Sequence, residues 1–104
     1  MTQGRIELLQ KMLEKDPSDS FCCYGMAQEH LKLGDIDSAV IWFDRTIASD
    51  PDHCYAYFHK ARALEMGGRV SEAQATLRLG LERARAQGDS HAIGELQGYL
   101  GQIE

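Results

Sequence analysis

The chain has 104 residues, is 43% hydrophobic and carries a net charge of −5 at pH 7. This length allows one small domain with a modest core and excludes a multidomain enzyme. The acidic balance argues against DNA or RNA as a partner, because nucleic-acid-binding domains are usually basic.

The composition and the first segment both indicate helix. Ala and Leu are the most frequent residues, whereas Pro and Val are rare, which favours an all-α fold. Residues 4–16 are predicted to hold an N-terminal helix whose core side carries Leu9, Met12 and Leu13. An Asp-Pro pair follows and ends this helix.

Residues 20–53 predict two helices joined by a tight turn. The first helix runs over 20–33 and ends at Gly34, a residue type that closes helices in the left-handed conformation. Asp37 is the predicted N-cap of the second helix, which ends near Ser49.

Residues 54–87 predict a second pair of helices of the same kind. Gly67 and Gly68 stop the first helix, and the sequence S-E-A-Q over 71–74 has the pattern of a capping box. No proline follows the second helix, so we expect it to continue to Gln87.

The last segment, residues 89–103, predicts an amphipathic helix. Its apolar residues recur at spacings of three and four, at Ile93, Leu96, Leu100 and Ile103. Such a helix would cover the exposed end of a stack of helix pairs.

A shift of 34 residues superposes the two central segments. It places Ala27 on Ala61 and Ala39 on Ala73. Small residues at these positions let two helix backbones approach closely, while larger side chains close the seam around them. The larger residues predicted to fill this seam are Met26, His30, Phe43, Ile47, Tyr57, Leu64, Leu77 and Leu81.

These repeated residues resemble a tetratricopeptide repeat. The first unit matches the family's pattern at Cys23, Met26, Ala27, His30, Gly34, Ala39, Phe43, Thr46 and Pro51. The second matches at Tyr57, Ala61, Leu64, Gly68, Ala73, Leu77 and Gly80, and departs at Lys60, where Leu is usual. The resemblance implies an α–α superhelix of about six helices, with full repeats over 20–53 and 54–87, a half repeat over 4–16 and a capping helix over 89–103.

The resemblance also implies a concave groove that binds a protein or peptide partner. In this family the groove is lined mainly by the first helix of each repeat. Those positions combine aromatic and polar side chains here, a composition enriched at binding hot spots. They are Phe21, Tyr24, Gly25, Gln28, Lys32, Tyr55, Phe58, His59, Arg62 and Met66.

The four aromatic residues of this set admit two interpretations. They either anchor a partner or pack between adjacent repeats and flanking helices, and their burial distinguishes the two. Gln28, His59 and Arg62 are harder to place in a core, because amide and charged side chains are seldom buried without partners. We therefore expect these three to fix the orientation of a partner.

In the last helix, alignment on the repeat pattern puts Gly94 and Gly98 on the groove side, with Gly101 one turn on. Each glycine costs a helix roughly 1 kcal/mol relative to alanine. That cost is reasonable if another backbone packs closely on this face. These glycines therefore admit two interpretations. Either a partner helix or a second copy of the chain packs against them, or the terminal helix is loosely ordered.

The cysteines and histidines carry little chemical signal. Cys22, Cys23 and Cys54 form an odd set without disulfide-framework spacing, which fits a reducing cytosol. Neighbouring residues on a helix point about 100° apart, so Cys22 and Cys23 do not share a metal ion, and no metal site is predicted. Cys54 with His59 leaves a cysteine-dependent enzyme as a remote alternative.

No apolar run of signal-peptide or membrane-spanning length occurs, and no motif indicates a cofactor. The sequence therefore predicts a non-catalytic, cytoplasmic protein-interaction module that uses neither a membrane nor a nucleic acid. The alternative is a self-association unit, a homodimer or higher assembly that pairs copies through the groove or the end helices.

Overall fold

Helix-favouring residues between Asp, Pro and Gly breakers fold into six α-helices over the described part of the chain, where no strand occurs. The computed structural model describes residues 2–104, with side chains described from residue 4 onward. The expected all-α fold is confirmed. The helices are α1 (Thr2–Lys15), α2 (Ser20–Lys32), α3 (Ile36–Ser49), α4 (Cys54–Met66), α5 (Val70–Gln87) and α6 (Ser90–Ile103).

The start of α3 differs from the sequence prediction. The carboxylate of Asp35 accepts a hydrogen bond from the backbone N–H of Ser38 at 3.3 Å, so Asp35 is the N-cap. Gly34 has φ +77°, a left-handed conformation that turns the chain at once and brings Asp35 to the cap position. The prediction of Asp37 as N-cap is therefore wrong. Asp37 lies in the first turn, where a negative charge favours the helix dipole.

The capping box predicted at the start of α5 does not form. Arg69 is the N-cap residue and makes no side-chain cap hydrogen bond. The turn through Gly68, with φ +78°, starts the helix early enough that Ser71 lies inside it. Gln74 instead donates a hydrogen bond from Nε2 to the backbone carbonyl of Ile103 at 2.7 Å, which ties α5 to α6.

Each helix packs against the next along the chain, from α1 to α6. The small residues predicted at the helix crossings, Ala27, Ala39, Ala61 and Ala73, are fully buried in one core. Because these side chains occupy little space, α2 lies close to α3 and α4 lies close to α5.

The approach of α5 to α4 is closest at Gly80. A Cβ atom at this position would lie 2.8 Å from Cβ of Tyr57 and 3.3 Å from a methyl carbon of Leu96. The Tyr57 hydroxyl donates a hydrogen bond to the carbonyl of Pro51 at 2.7 Å, which fixes the ring over Gly80. The glycine therefore permits a helix contact that any side chain would push apart.

A second, smaller core lies between α1 and α2. Trp42 of α3 packs against both cores and joins them. The guanidinium carbon of Arg45 lies 4.5 Å from the centroid of the Trp42 ring, a cation–π contact. The buried members of the second core are Ile6, Leu9, Leu13, Cys22, Cys23 and Met26.

The buried face of α1 also corrects one expectation. Met12, predicted on the core side with Leu9 and Leu13, is 43% exposed. Ile6, Leu9 and Leu13 define the face that packs on α2 through spacings of three and four residues. Met12 precedes Leu13 by one residue, about 100° around the helix, and so points away from that face.

Candidate functional site

Two adjacent cavities open on one side of the helix stack. One, of about 580 Å³, lies between α4 and α6 and is called here the α4–α6 cavity. The other, of about 560 Å³, lies among α1, α2 and α4 and is called the α2–α4 cavity. Arg62 and Met66 of α4 line both cavities, so the two adjoin at these residues, and the surface that they form together is called here the groove.

Most residues predicted from the repeat pattern line this groove. The α2–α4 cavity holds the predicted residues Phe21, Tyr24, Gly25, Gln28 and Lys32. The α4–α6 cavity holds the predicted residues Phe58, Gly94 and Gly98. Tyr55 and His59 do not line either cavity.

The aromatic residues divide between the two interpretations. Phe21 is 69% exposed and Tyr55 is 37% exposed, so neither is covered by a flanking helix. Tyr24 is half-buried, with its ring centroid 4.8 Å from that of His53. Phe58 is also half-buried, 5.2 Å from the ring of Tyr99. Tyr24 and Phe58 therefore pack inside the stack with one part of the ring and form the groove wall with the other.

His59 is half-buried and lines neither cavity of the groove. Its ring is 5.3 Å from that of Phe58 and 5.9 Å from that of Tyr24. Its Nδ1 atom is buried and has no hydrogen-bond partner among the described residues. Burial, reinforced by the positive charge of Arg62, lowers the pKa of His59. The imidazole therefore acts as a neutral packing group that supports the two aromatic residues above it.

A buried carboxylate in the α2–α4 cavity holds two cations at the groove rim. The side chain of Glu29 is only 3% exposed. Its Oε2 atom lies 3.1 Å from Nζ of Lys32 and 3.5 Å from Nε of Arg5. Sequence reasoning missed Arg5 and Glu29, because their pairing depends on how α1 docks on α2, which no repeat position specifies.

The α4–α6 cavity carries acidic side chains. Glu65 accepts a hydrogen bond from the Tyr99 hydroxyl at 2.5 Å, and burial together with this contact raises the pKa of Tyr99. Glu95 lies 3.8 Å from Nε2 of the exposed His91, one helical turn away. Glu65 and Tyr99 were not predicted to line the groove, although both follow from the helical register of α4 and α6.

The glycines of α6 lie on the open wall of the α4–α6 cavity. A Cβ atom at Gly94 or Gly98 would meet no other atom within 4 Å. The same holds for Gly101, which does not line the cavity. Larger side chains would therefore fit at all three positions, and at Gly94 and Gly98 they would occupy the groove.

Arg62 lies at the junction of the two cavities and makes no ion pair with a carboxylate among the described side chains. Neighbouring cations do pair: Lys32 with Glu29, and Lys60 with Asp44 at 2.7 Å. The Arg62 guanidinium therefore offers its hydrogen-bond donors to the groove.

The cysteines lie apart from the groove. Cys22, Cys23 and Cys54 are free thiols and are buried, and burial raises the pKa of each. A thiol with a raised pKa is a poor nucleophile, which argues against the Cys54-dependent enzyme. Among the described residues, no three His, Cys, Asp or Glu side chains come together as a metal site. None of the described helices combines the length and apolar character needed to cross a bilayer.

Successive helix pairs with alanine crossings, a glycine turn inside each pair and a groove on one side define an α-helical repeat protein. A solution structure of a tetratricopeptide repeat domain protein from Salinibacter ruber is 35% identical to the chain, with a TM-score of 0.79; the match covers 86% of this chain and 90% of that one. The chain belongs to the tetratricopeptide repeat family.

Two further comparisons agree with this assignment. A crystal structure of a tetratricopeptide repeat domain protein from the same organism is 33% identical, with a TM-score of 0.73, over 82% of this chain and 94% of that one. A TPR repeat-containing protein of Pseudomonas aeruginosa is 26% identical over 99 residues, which cover 95% of this chain and 94% of that protein. No family model matches the sequence. Membership of the family supports a general role in protein interaction.

Proposed function

We propose that the chain is a non-catalytic interaction module that binds an extended or helical segment of a partner protein in the groove. The observation that carries the proposal is that the two cavities adjoin at Arg62 and Met66. Because α2, α4 and α6 all contribute to one surface, a single partner segment can contact all three helices.

The groove residues have different roles in this proposal. Phe21 is an exposed anchor that becomes buried against the partner, while Tyr24 and Phe58 form the wall. Gln28, which donates a hydrogen bond from Nε2 to the Tyr24 hydroxyl at 3.2 Å, orients the partner together with Arg62. His59 supports the wall from below.

We take residues 20–53 and 54–87 as the two repeats of this module. Residues 4–16 serve as a half repeat and residues 89–103 as the capping helix. The packing of α1 mainly on α2, and the contacts of α6 with both α4 and α5, support this division.

The proposal assigns no catalysis, cofactor or metal to the chain. Proteins of the family generally act without catalysing a reaction, and the buried thiols support the same conclusion here. Three free cysteines also support a reducing, cytoplasmic setting.

Self-association is the second candidate function. The observation that favours it is the pair of exposed apolar side chains on the outer face of α1, Leu8 at 59% and Met12 at 43%. Sedimentation velocity of the wild type and of a Leu8→Glu, Met12→Glu variant over a range of concentrations tests it. A concentration-dependent dimer that disappears in the variant would support self-association, and a monomer throughout would exclude it.

Substitution of Gly98 tests the groove. Gly98→Leu fills the α4–α6 cavity without a clash, and Gly101→Leu adds the same side chain to α6 outside the cavity. Peptides selected from a random displayed library against the wild-type chain should bind the Gly101→Leu variant unchanged. They should lose binding to Gly98→Leu, and to Gly94→Leu, in fluorescence anisotropy.

All three leucine variants should retain or increase thermal stability, because they replace glycine in a helix. Lost binding therefore cannot be attributed to unfolding. Selected peptides that bind the Gly98→Leu and Gly101→Leu variants equally, or a library that yields no binder, would overturn the proposed function.

A further inference from the structure

The charges that line the groove are divided between its two cavities. The α2–α4 cavity carries the cations Arg5, Lys32 and Arg62 against one carboxylate, Glu29. The α4–α6 cavity carries Glu65 and Glu95, and shares Arg62 with its neighbour. The groove is therefore positive toward α1 and α2 and negative toward α6.

The positive half is held in place before any partner binds. The nearly buried Glu29 carboxylate lies within 3.5 Å of both Arg5 and Lys32, while the two cations are 56% and 66% exposed. One carboxylate cannot neutralise two cations, and Arg62 beside them has no ion-pair partner among the described side chains. An acidic side chain entering this cavity would compensate charge that the chain itself leaves uncompensated.

The negative half is likewise uncompensated by strong cations. The described side chains include no lysine or arginine in an ion pair with Glu65 or Glu95. Tyr99 donates a neutral hydrogen bond to Glu65, which fixes that carboxylate at the cavity wall. The open backbone at Gly94 and Gly98 leaves room beside Glu95 for a long side chain.

We propose that the groove binds a bipolar peptide segment, with an acidic residue in the α2–α4 cavity and a lysine or arginine in the α4–α6 cavity. Apolar residues between the two charges pack on Tyr24, Phe58 and Met66. This inference rests on the proposed function and adds the chemistry and the orientation of the partner. Charge complementarity of this kind determines orientation more than affinity.

The helix arrangement sets the separation of the two charges. Packed helices lie about 10 Å apart, and α2 lies beside α4 without packing closely on it, so α2 and α6 are separated by at least about 20 Å across α4. An extended segment covers this distance in about six residues, and a helical one in about 13. A displayed library of random peptides about 16 residues long accommodates both spacings.

Selection from that library against the wild type and against a Glu95→Lys variant tests the inference. The substitution exchanges one of the two carboxylates of the α4–α6 cavity for an ammonium group, so that Glu65 and the introduced lysine cancel and this half of the groove loses its net negative charge. Wild-type selection should enrich acidic residues toward one end and basic residues toward the other. Selection against Glu95→Lys should keep the acidic residues at one end and lose the enrichment of basic residues at the other, and wild-type peptides should bind this variant about fivefold more weakly. The difference should shrink as salt is added.

Glu82→Lys is the matched control. Glu82 is exposed on α5, lies outside the groove and makes no ion pair among the described residues. The variant carries the same change in net charge as Glu95→Lys, and its selected peptides should match those of the wild type.

Two outcomes would overturn the inference in distinguishable ways. Peptides that lose binding to Gly98→Leu but carry no charge pattern, or that bind Glu95→Lys as well as the wild type, would contradict the bipolar partner and leave the proposed function intact. Peptides that bind Gly98→Leu as well as the wild type, or a selection without any enrichment, would contradict both the bipolar partner and the proposed function.

Discussion

Gly80 and Gly94 differ in function although both lie inside helices. Gly80 lies where a Cβ atom would approach Tyr57 to 2.8 Å, whereas Gly94 faces open space. The sequence does not distinguish the two, because the same intrinsic helix propensity applies to both. Only the position of α4 relative to α5 makes one glycine a packing requirement and the other an open site.

Alanine at these two positions should have opposite effects. Gly80→Ala should lower the free energy of unfolding by about 1–3 kcal/mol, because the added methyl group overpacks the contact with Tyr57. Gly94→Ala should raise it by up to about 1 kcal/mol, because alanine favours the helix and meets no neighbour. Urea denaturation followed by circular dichroism measures both. Equal effects of the two substitutions would contradict the close approach at Gly80.

His59 should contribute a pH dependence to stability. Its pKa is lowered in the folded chain, mainly by burial, so the unfolded chain binds more protons than the folded one once the pH falls below about 6.5. The stability contributed by the neutral ring is fully present above that pH and decreases as the pH falls toward the folded pKa.

A His59→Phe variant should therefore lose less stability on acidification than the wild type. Phenylalanine keeps an aromatic ring among its neighbours and removes a nitrogen that has no partner among the described residues. Thermal denaturation from pH 7.5 downward, in steps to about 5, measures the difference. His91→Gln, at an exposed position, is the control and should follow the wild type. If the melting temperatures of His59→Phe and the wild type fell in parallel with pH, the lowered pKa of His59 would not be a source of the pH dependence.

At the scale of the helix, the sequence predicts where each helix lies better than it predicts the residue at which each helix begins. The glycine and Asp-Pro breakers indicate six helices, and the missing proline correctly predicts that α5 continues to Gln87. The N-caps of α3 and α5 were predicted wrongly. In both cases a glycine with positive φ starts the next helix earlier than the cap pattern suggests. Cap motifs report hydrogen-bonding potential, whereas the turn decides which residue reaches the cap position.

Alanine substitutions of Asp35 and Asp37 test which aspartate caps α3. Asp35→Ala removes the acceptor of the Ser38 N–H and should lower the free energy of unfolding. Asp37→Ala, two residues on, removes a favourable charge in the first turn and an exposed ion pair with Arg69, and should have a smaller effect. Chemical denaturation of the two variants under the same conditions measures the order. A larger loss of stability in Asp37→Ala than in Asp35→Ala would indicate that Asp37 is the N-cap after all.

The sequence predicts only part of the groove lining. Its lining from α2 and α4 follows from repeat positions, because the register of a helix fixes which side chains share a face. Arg5 and Glu29 could not be found this way, since their contact crosses from the half repeat to the first full repeat. The depth of His59 also depends on packing, because its face borders both groove and core.

At the scale of the whole molecule, the two end helices differ in how extensively they pack on the rest of the stack. α1 packs mainly on α2 through the smaller core, whereas α6 contacts both α4 and α5. In such a linear array each element is stabilised by its neighbours, so the element with the fewest contacts opens first.

Hydrogen exchange should therefore show a gradient along the chain. Backbone amides of α1 should exchange faster than those of α3 and α4, which are covered on both sides, and α6 should be intermediate. Exchange followed by mass spectrometry on proteolytic fragments measures this order. Leu9→Ala should speed exchange in α1 with little effect on α5. Uniform exchange across all six helices would indicate that the chain opens as a single cooperative unit.

Trp42, which joins the two cores, is the single tryptophan of the chain. The chain thus carries one fluorophore at the seam between its first helix and the rest of the stack. Its emission should move to longer wavelength when α1 leaves α2 and water reaches the indole, before the ellipticity of the remaining helices falls. The protein therefore contains an intrinsic optical probe for the loosening of one end, and no extrinsic label is needed to follow it.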